Sequence, residues 1–254
     1  MTDQARKAEQ FREWHIPGKP LILFNVWDAG SAKAVASGGA KALATSSWSV
    51  ANANGFRDGE LLPLHLALDN LRRIVDATDL PVTVDLESGY GDLPEAVADN
   101  IGLAIETKAV GCNLEDSFPA SGKLRETADQ AARIRRARQA SDAANFHFFM
   151  NARTDVFFER PPEHHNDAMV VEAIERARAC ADAGADGIFA PGLVDLSLIA
   201  RLAEASPIPL NIMMGDATPA VAALAQHGVA RVSYGPGPYL LAMKALEEAA
   251  RAAQ

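Results

Sequence analysis

Val82-Thr83-Val84-Asp85-Leu86-Glu87-Ser88-Gly89-Tyr90-Gly91 reads as a strand that runs into a glycine-rich turn. Residues 82–86 are β-branched or apolar apart from one carboxylate, as in a strand covered on both faces. Pro94 opens a helix-like segment shortly after, so Asp85 and Glu87 sit where the strand ends. Acids two residues apart on an extended chain point to the same side. At the carboxyl end of a parallel strand that side faces an active-site mouth. A pair of hard oxygen ligands there suits Mg²⁺, which usually takes one or two carboxylates and keeps several waters. Read alone, the pair is equally a solvated Asp and Glu at a strand end.

Outward from this stretch, short apolar runs alternate with longer helical ones. A helix over 4–14 and a Pro17-Gly18 turn precede a strand at Leu21–Val26 and a helix over Ala32–Ser37. Strands follow at Ala42–Thr45, Pro81–Leu86, Val110–Glu115, Phe146–Asn151, Gly187–Ala190, Pro209–Met213 and Val229–Tyr234. Between them helices read at 64–78, 94–108, 129–141, 168–183, 196–205 and 220–227, and a helix over 239–253 closes the chain. Glycines before the strands, as in Val110-Gly111 and Ala183-Gly184-Ala185-Asp186, read as helix stops. Eight strands alternating with helices, with no linker, predict one α/β domain over 1–254, a (β/α)₈ TIM-type barrel. An open doubly wound sheet is the alternative, although it more often has fewer strands.

Composition agrees with this. The 254 residues are 48% hydrophobic and 22% charged, enough for one large core. A net charge of −9 argues against a nucleic-acid partner, which needs a basic surface. No apolar run approaches the ~18 residues of a membrane span, and the polar N-terminus is no signal peptide, so a soluble cytoplasmic protein is expected. Cys112 and Cys180 form no metal or redox motif, and Cys112, in an apolar strand-like run, reads as a packing residue. His164-His165 reads as exposed loop rather than metal ligand.

In such a barrel the chemistry sits in the loops after the strands. Those positions offer Asn25, Ser46, Ser47, Trp48, Asp58, Asp85, Glu87, Asn113, Glu115, Asp116, Asn151, Arg153, Asp155 and Asn211. Asp85, Glu87 and Glu115 converge from neighbouring strands without matching lysines, a group that calls for a cation. Mg²⁺ is the expected cofactor, with Mn²⁺ as its substitute. Arg153 suits a fork-like clamp on a substrate carboxylate, or an internal ion pair with Glu115 or Asp155, and the two roles are compatible. Ser46 and Ser47 could hold a second carboxylate or an enolate oxygen. Trp48 either walls the pocket or packs.

Several of these elements come together in one pattern. Ser46-Ser47-Trp48-Ser49, Arg57-Asp58, Asp85-Leu86-Glu87-Ser88-Gly89-Tyr90-Gly91, Gly111-Cys112-Asn113-Leu114-Glu115-Asp116 and Asn151-Ala152-Arg153-Thr154-Asp155 resemble the isocitrate lyase/phosphoenolpyruvate mutase superfamily, in order, from about residue 20 to 240. The resemblance implies a barrel that swaps its last helix with a neighbour in homodimers or homotetramers. It also implies Mg²⁺ near Asp85, Glu87 and Glu115, with a 2-oxo acid or its enolate chelated to it. Ser46, Ser47 and Arg153 match residues that hold the substrate carboxylate, and Asp58 matches an aspartate of the phosphonopyruvate enzymes.

The loop after the fourth strand departs from the family. Isocitrate and methylisocitrate lyases carry Lys-Lys-Cys-Gly-His there, whereas this chain has Ser117-Phe118-Pro119-Ala120-Ser121-Gly122-Lys123-Leu124-Arg125-Glu126. The Lys/Asn pair of phosphonopyruvate enzymes is not recognisable either. The expected activity is therefore a Mg²⁺-dependent lyase or decarboxylase cleaving a C–C bond of a small 2-oxo or 2-hydroxy di- or tricarboxylate. In it Arg153, Ser46, Ser47, Trp48 and Asn211 contact the substrate, and Tyr90 or Asp58 exchanges protons. The alternatives are phosphonopyruvate hydrolase or mutase-type P–C chemistry through Asp58, and a catalytically silent barrel that binds a 2-oxo acid.

Overall fold

The computed structural model describes residues 2–254. All strands are parallel and lie in one sheet, in the order β1-β9-β8-β7-β6-β5-β4-β3-β2. β1 (Leu21–Leu23) pairs with β9 (Arg231–Ser233), and β2 (Asn25–Val26) pairs with β3 (Leu43–Thr45). β1 and β2 are thus the two halves of one strand broken at Phe24, and the sheet closes through it into the eight-stranded barrel the sequence predicts. The remaining staves are β4 (Val82–Asp85), β5 (Gly111–Glu115), β6 (Phe149–Arg153), β7 (Gly187–Phe189) and β8 (Leu210–Met213).

Helices wrap the outside: α2 (Ala29–Ser37), α4 (Leu64–Asp76), α5 (Pro94–Glu106), α6 (Thr127–Ala143), α7 (Asp167–Asp182), α8 (Leu196–Ala205) and α9 (Val221–Gln226). Their apolar faces join the strands in a core that includes Leu71, Ile74, Ile101, Ile134, Val170 and Leu202. The amino-terminal end of the barrel is stoppered by α1 (Asp3–Glu13), whose Phe11 meets Phe149 edge-on at 5.3 Å. His15, just beyond that helix, stacks on the same ring at 4.1 Å. Cys112 and Cys180 are buried free thiols pushed up to about 12 by burial, and Cys112 packs as its sequence suggests. Among the described residues no helix is long and apolar enough to cross a membrane.

Two local readings change. The segment after β3 is a helix, α3 (Ser47–Ala53), rather than open loop, and Ser46 caps it. The sixth strand is Phe149–Arg153 rather than Phe146–Asn151, because Phe146 and Phe148 turn into the core ahead of the ladder. The closing helix, α10 (Gly237–Ala252), buries only Pro238 and leaves Leu240, Leu241 and Leu246 exposed. Ile22, on the outer face of β1, is also exposed, beside a groove of about 840 Å³ lined by Trp14, Ile16, Phe24 and Val35. A complete barrel covers such a position with a helix, so the helical layer of this chain has a gap there.

Candidate active site

The carboxyl ends of β3 to β6 gather the acids. Asp85 ends β4, and its N–H is held by the Thr45 hydroxyl at 2.9 Å. Ser47, the first residue of α3, gives both its N–H and its hydroxyl to Asp85 Oδ2, at 3.2 and 3.0 Å. Asp85 Oδ1 is buried with no partner. A cavity of about 20 Å³, with Thr45, Ser47, Asp85, Glu87 and Tyr90 among its lining residues, lies at this point and has room for one water-sized species.

Glu87 lies two residues on, in a turn with φ of +51° at Glu87, +96° at Gly89 and +55° at Tyr90. Only glycine fits at 89, because a Cβ would come within 2.8 Å of Leu114. The Glu87 carboxylate accepts the N–H groups of Gly59 and Glu60 at 2.8 and 2.6 Å and the Tyr90 hydroxyl at 3.2 Å. Burial, then the charges of Asp58 and Asp85, push its carboxyl up to about 7. The same burial, with the charge of Glu87, raises the Tyr90 hydroxyl well above its usual range and keeps it protonated. Asp58 is raised by burial and by Asp85, with Ser47 opposing.

Glu115 ends β5 beside Arg153, which ends β6, and the two are register partners. Arg153 Nη1 meets Glu115 at 2.8 Å, while Nε and Nη2 fork onto Asp155 at 2.7 and 3.1 Å. Burial drives the Glu115 carboxyl up to about 8, with Arg153 pulling it down and Asp155 and Asp85 adding to the rise. Burial disfavours the charge on Arg153, yet Glu115 and Asp155 outweigh it and raise Arg153 further above its usual value. The Ser117 hydroxyl closes this group, 2.8 Å from Asp155 and 3.2 Å from Glu115. Behind it, Asp116 accepts from the Asp155 N–H at 2.9 Å and pairs with Arg176 at 3.2 Å.

The predicted residues therefore divide. Asp58, Asp85, Glu87, Tyr90, Glu115, Arg153 and Ser47 share one mouth. The Ser46 hydroxyl faces the Ser49 N–H and hydroxyl, at 3.4 and 3.2 Å, within its own helix turn. Asn211 pairs with Ser233 inside the barrel, and Trp48 packs edge-on to Tyr239 at 5.9 Å. Asn25 is a strut that takes the N–H groups of Tyr234 and Gly235 at 2.8 and 2.9 Å. His165 is tied to the carbonyls of Phe157 and Arg160. Two residues were not foreseen: Glu60, which bonds the turn after β4, and Ser117. Both look like ordinary loop residues in sequence.

The donor set at this mouth suits a divalent cation held through Asp85. Among the described residues no three His, Cys, Asp or Glu side chains form a ready ligand cluster. The bare Asp85 Oδ1, the water-sized space at that residue and the surrounding acids suit a hard cation that takes few protein ligands.

The phosphoenolpyruvate phosphomutase family model matches residues 11–254. The chain belongs to that family. Its relatives include 2-methylisocitrate lyase of Escherichia coli strain K12, 30% identical over 81% of this chain and 73% of the enzyme. A crystal structure from Burkholderia cenocepacia J2315, named provisionally as a phosphonomutase, superposes with a TM-score of 0.96 at 55% identity, covering 99% of this chain and 100% of that one. Oxaloacetate acetylhydrolase in complex with its product oxalate superposes with a TM-score of 0.83 at 25% identity, covering 95% of this chain and 84% of that one. The family thus includes both lyases and mutases.

Proposed function

We propose that this family member is a divalent-metal-dependent lyase or decarboxylase that breaks a C–C bond of a small 2-oxo or 2-hydroxy di- or tricarboxylate. The observation that carries the reading is the unpartnered Asp85 Oδ1 among buried acids, one strand away from the Glu115–Arg153 pair. Asp85 would hold Mg²⁺ or Mn²⁺ directly, with Glu87 and Glu115 receiving its waters. The bound ion would stabilise the negative charge that develops on the 2-oxo oxygen as the bond breaks. Arg153 has five N–H donors, of which Glu115 and Asp155 take three, so one remains on each terminal nitrogen for a substrate carboxylate. Tyr90 keeps its proton at the mouth, and Tyr90 or Asp58, which burial and the charge of Asp85 raise, would exchange a proton with the carbon left behind. Oxaloacetate, the substrate named for one structural neighbour, and 2-methylisocitrate, named for a relative, are substrates of this chemical class.

The test is turnover of oxaloacetate, isocitrate, 2-methylisocitrate, dimethylmalate and phosphonopyruvate with Mg²⁺, reading pyruvate, glyoxylate and phosphate. Release of pyruvate or glyoxylate that is lost in Asp85→Ala supports the lyase reading, and full activity in that variant sinks it. The position of Asp58 beside Asp85 favours a second reading, P–C chemistry. Phosphate from phosphonopyruvate, lost in Asp58→Ala, would establish that reading instead.

The gap in the helical layer supports a homo-oligomer. A second copy's α10 suits the groove at Ile22: the leucines exposed on the helix match the apolar lining, and α10 is the helix that should cover this position in its own barrel. The reading is a homo-oligomer that exchanges this helix.

A further inference from the structure

Asp58 lies in the loop between α3 and α4, and two carboxylates clasp that loop to the turn after β4. Glu87, on the turn, takes the N–H groups of Gly59 and Glu60 on one oxygen. Glu60, on the loop, in return takes the Ser88 hydroxyl at 2.7 Å and the Tyr90 N–H at 2.8 Å on one oxygen of its own. Each segment thus supplies both an acid and the donors that satisfy the other's acid.

Backbone conformation singles out the same place. Among the described residues five non-glycine residues have positive φ: Glu60, Glu87, Tyr90, Lys108 and Asn145. Three of them, Glu60 at +61°, Glu87 and Tyr90, belong to the clasp. Such conformations persist where their surroundings over-determine them, and they gather at functional sites. From behind, the buried Arg133 braces the turn by donating to the carbonyls of Ser88, Gly91 and Asp92. In front, a Cβ at Gly59 would lie 3.7 Å from the Pro119 carbonyl, so the 117–126 loop rests on the clasped loop. A solvated loop acid would show none of this pairing.

We propose that Glu60 is a positioning residue whose carboxylate locks the Asp58 loop onto the turn carrying Glu87 and Tyr90, and so fixes the proton-carrying groups relative to Asp85. The assignment deepens the reading of this mouth as an active site, and it requires no particular substrate. Opening the clasp would remove two donors from Glu87, release Asp58 and take away the ledge on which the 117–126 loop sits.

Two variants separate the carboxylate from the backbone. Glu60→Gly keeps freedom for positive φ and deletes the acceptor, while Glu60→Gln keeps one acceptor oxygen. Hydrogen exchange of the peptides over 54–62 and 87–93 is read on the metal-free protein, alongside the melting midpoint and, with Mg²⁺, kcat and KM for oxaloacetate. In Glu60→Gly, exchange in both peptides rises about tenfold or more while the α5 and α6 peptides are unchanged. Glu60→Gln regains most of that protection. Where oxaloacetate is turned over, kcat falls in the glycine variant with little change in KM, and Gln restores it. Unchanged exchange in Glu60→Gly overturns the proposal, as does a Gln variant as open as the Gly variant. If oxaloacetate is not a substrate, kcat and KM are read on whichever substrate of the panel is turned over, and exchange alone decides the role of Glu60 if none is.

Discussion

Ser47 binds Asp85 through two atoms at once, its N–H and its hydroxyl both on Oδ2, and so leaves Oδ1 facing the small space at the barrel mouth. Ser46, its neighbour, bonds within its own helix turn instead. Two adjacent serines therefore have different tasks: one orients an acid and the other starts a helix.

That division is testable with two alanines. Ser47→Ala removes a hydrogen bond to a charged acceptor but keeps the N–H, so turnover should fall about tenfold with little change in melting temperature. Ser46→Ala removes a helix cap, so stability should drop by about 1 kcal/mol while turnover stays within about twofold. Denaturant titration and steady-state rates on the same preparations check both. Equal losses of turnover would mean that Ser46 also reaches the substrate.

Arg153 sits between two buried carboxylates and holds both. Arg153→Met fills similar space but leaves Glu115 and Asp155 without a counter-charge, and the protein should lose about 3–5 kcal/mol of stability. Arg153→Lys keeps the charge but cannot reach Glu115 and fork onto Asp155 together, so its loss should be smaller. Urea midpoints at constant pH give the comparison. A lysine variant as unstable as the methionine variant would show that fork geometry, rather than charge, holds the group together.

His15 gives the fold a pH dependence far from the mouth. Its Nδ1 bonds the Phe11 carbonyl at 2.8 Å, and its Nε2 is buried without a partner. Burial, reinforced by Arg231, lowers it to about 3. The unfolded chain, with an ordinary imidazole, binds a proton between about 6.5 and 3 while the folded chain does not. This contribution to stability is therefore complete above about pH 6.5 and is lost as the pH falls toward 3. Between pH 7 and pH 4 the protein should lose up to about 3 kcal/mol that a His15→Phe variant keeps. Unfolding free energies of the two proteins across that range test it, and parallel curves would remove His15 as the cause.

The architecture was legible because each strand and helix carries its own local pattern, and the alternation of the two dictates a parallel barrel. The acids were legible because a carboxylate in an apolar strand end, as at Asp85 and Glu115, stands out against its neighbours. What escaped depends on contacts distant in sequence. Glu60 looks like a solvated loop acid until Ser88 and Tyr90, about thirty residues away, supply its donors. Ser46 and Ser47 look equivalent until α3 begins between them, and that seven-residue helix is too short for periodicity to reveal. The break at Phe24 arises because the first strand must pair with β9 at one end and with β3 at the other.

The exposed leucines of α10 lead to the last expectation. Leu241 and Leu246 are each 63% exposed, on a helix that buries almost none of its own surface. Fully burying such a side chain contributes about 1.5–3 kcal/mol, so two of them seated in a partner's groove account for much of a stable interface. Leu241→Asp combined with Leu246→Asp should therefore yield monomers in sedimentation equilibrium while the barrel's circular dichroism is kept. Ile22→Asp, on the groove side and absent from the helix, should do the same, because the contact needs both surfaces. If the helix variant dissociates and the groove variant does not, α10 docks elsewhere on its partner. If both remain oligomeric, helix exchange is not what holds the assembly together.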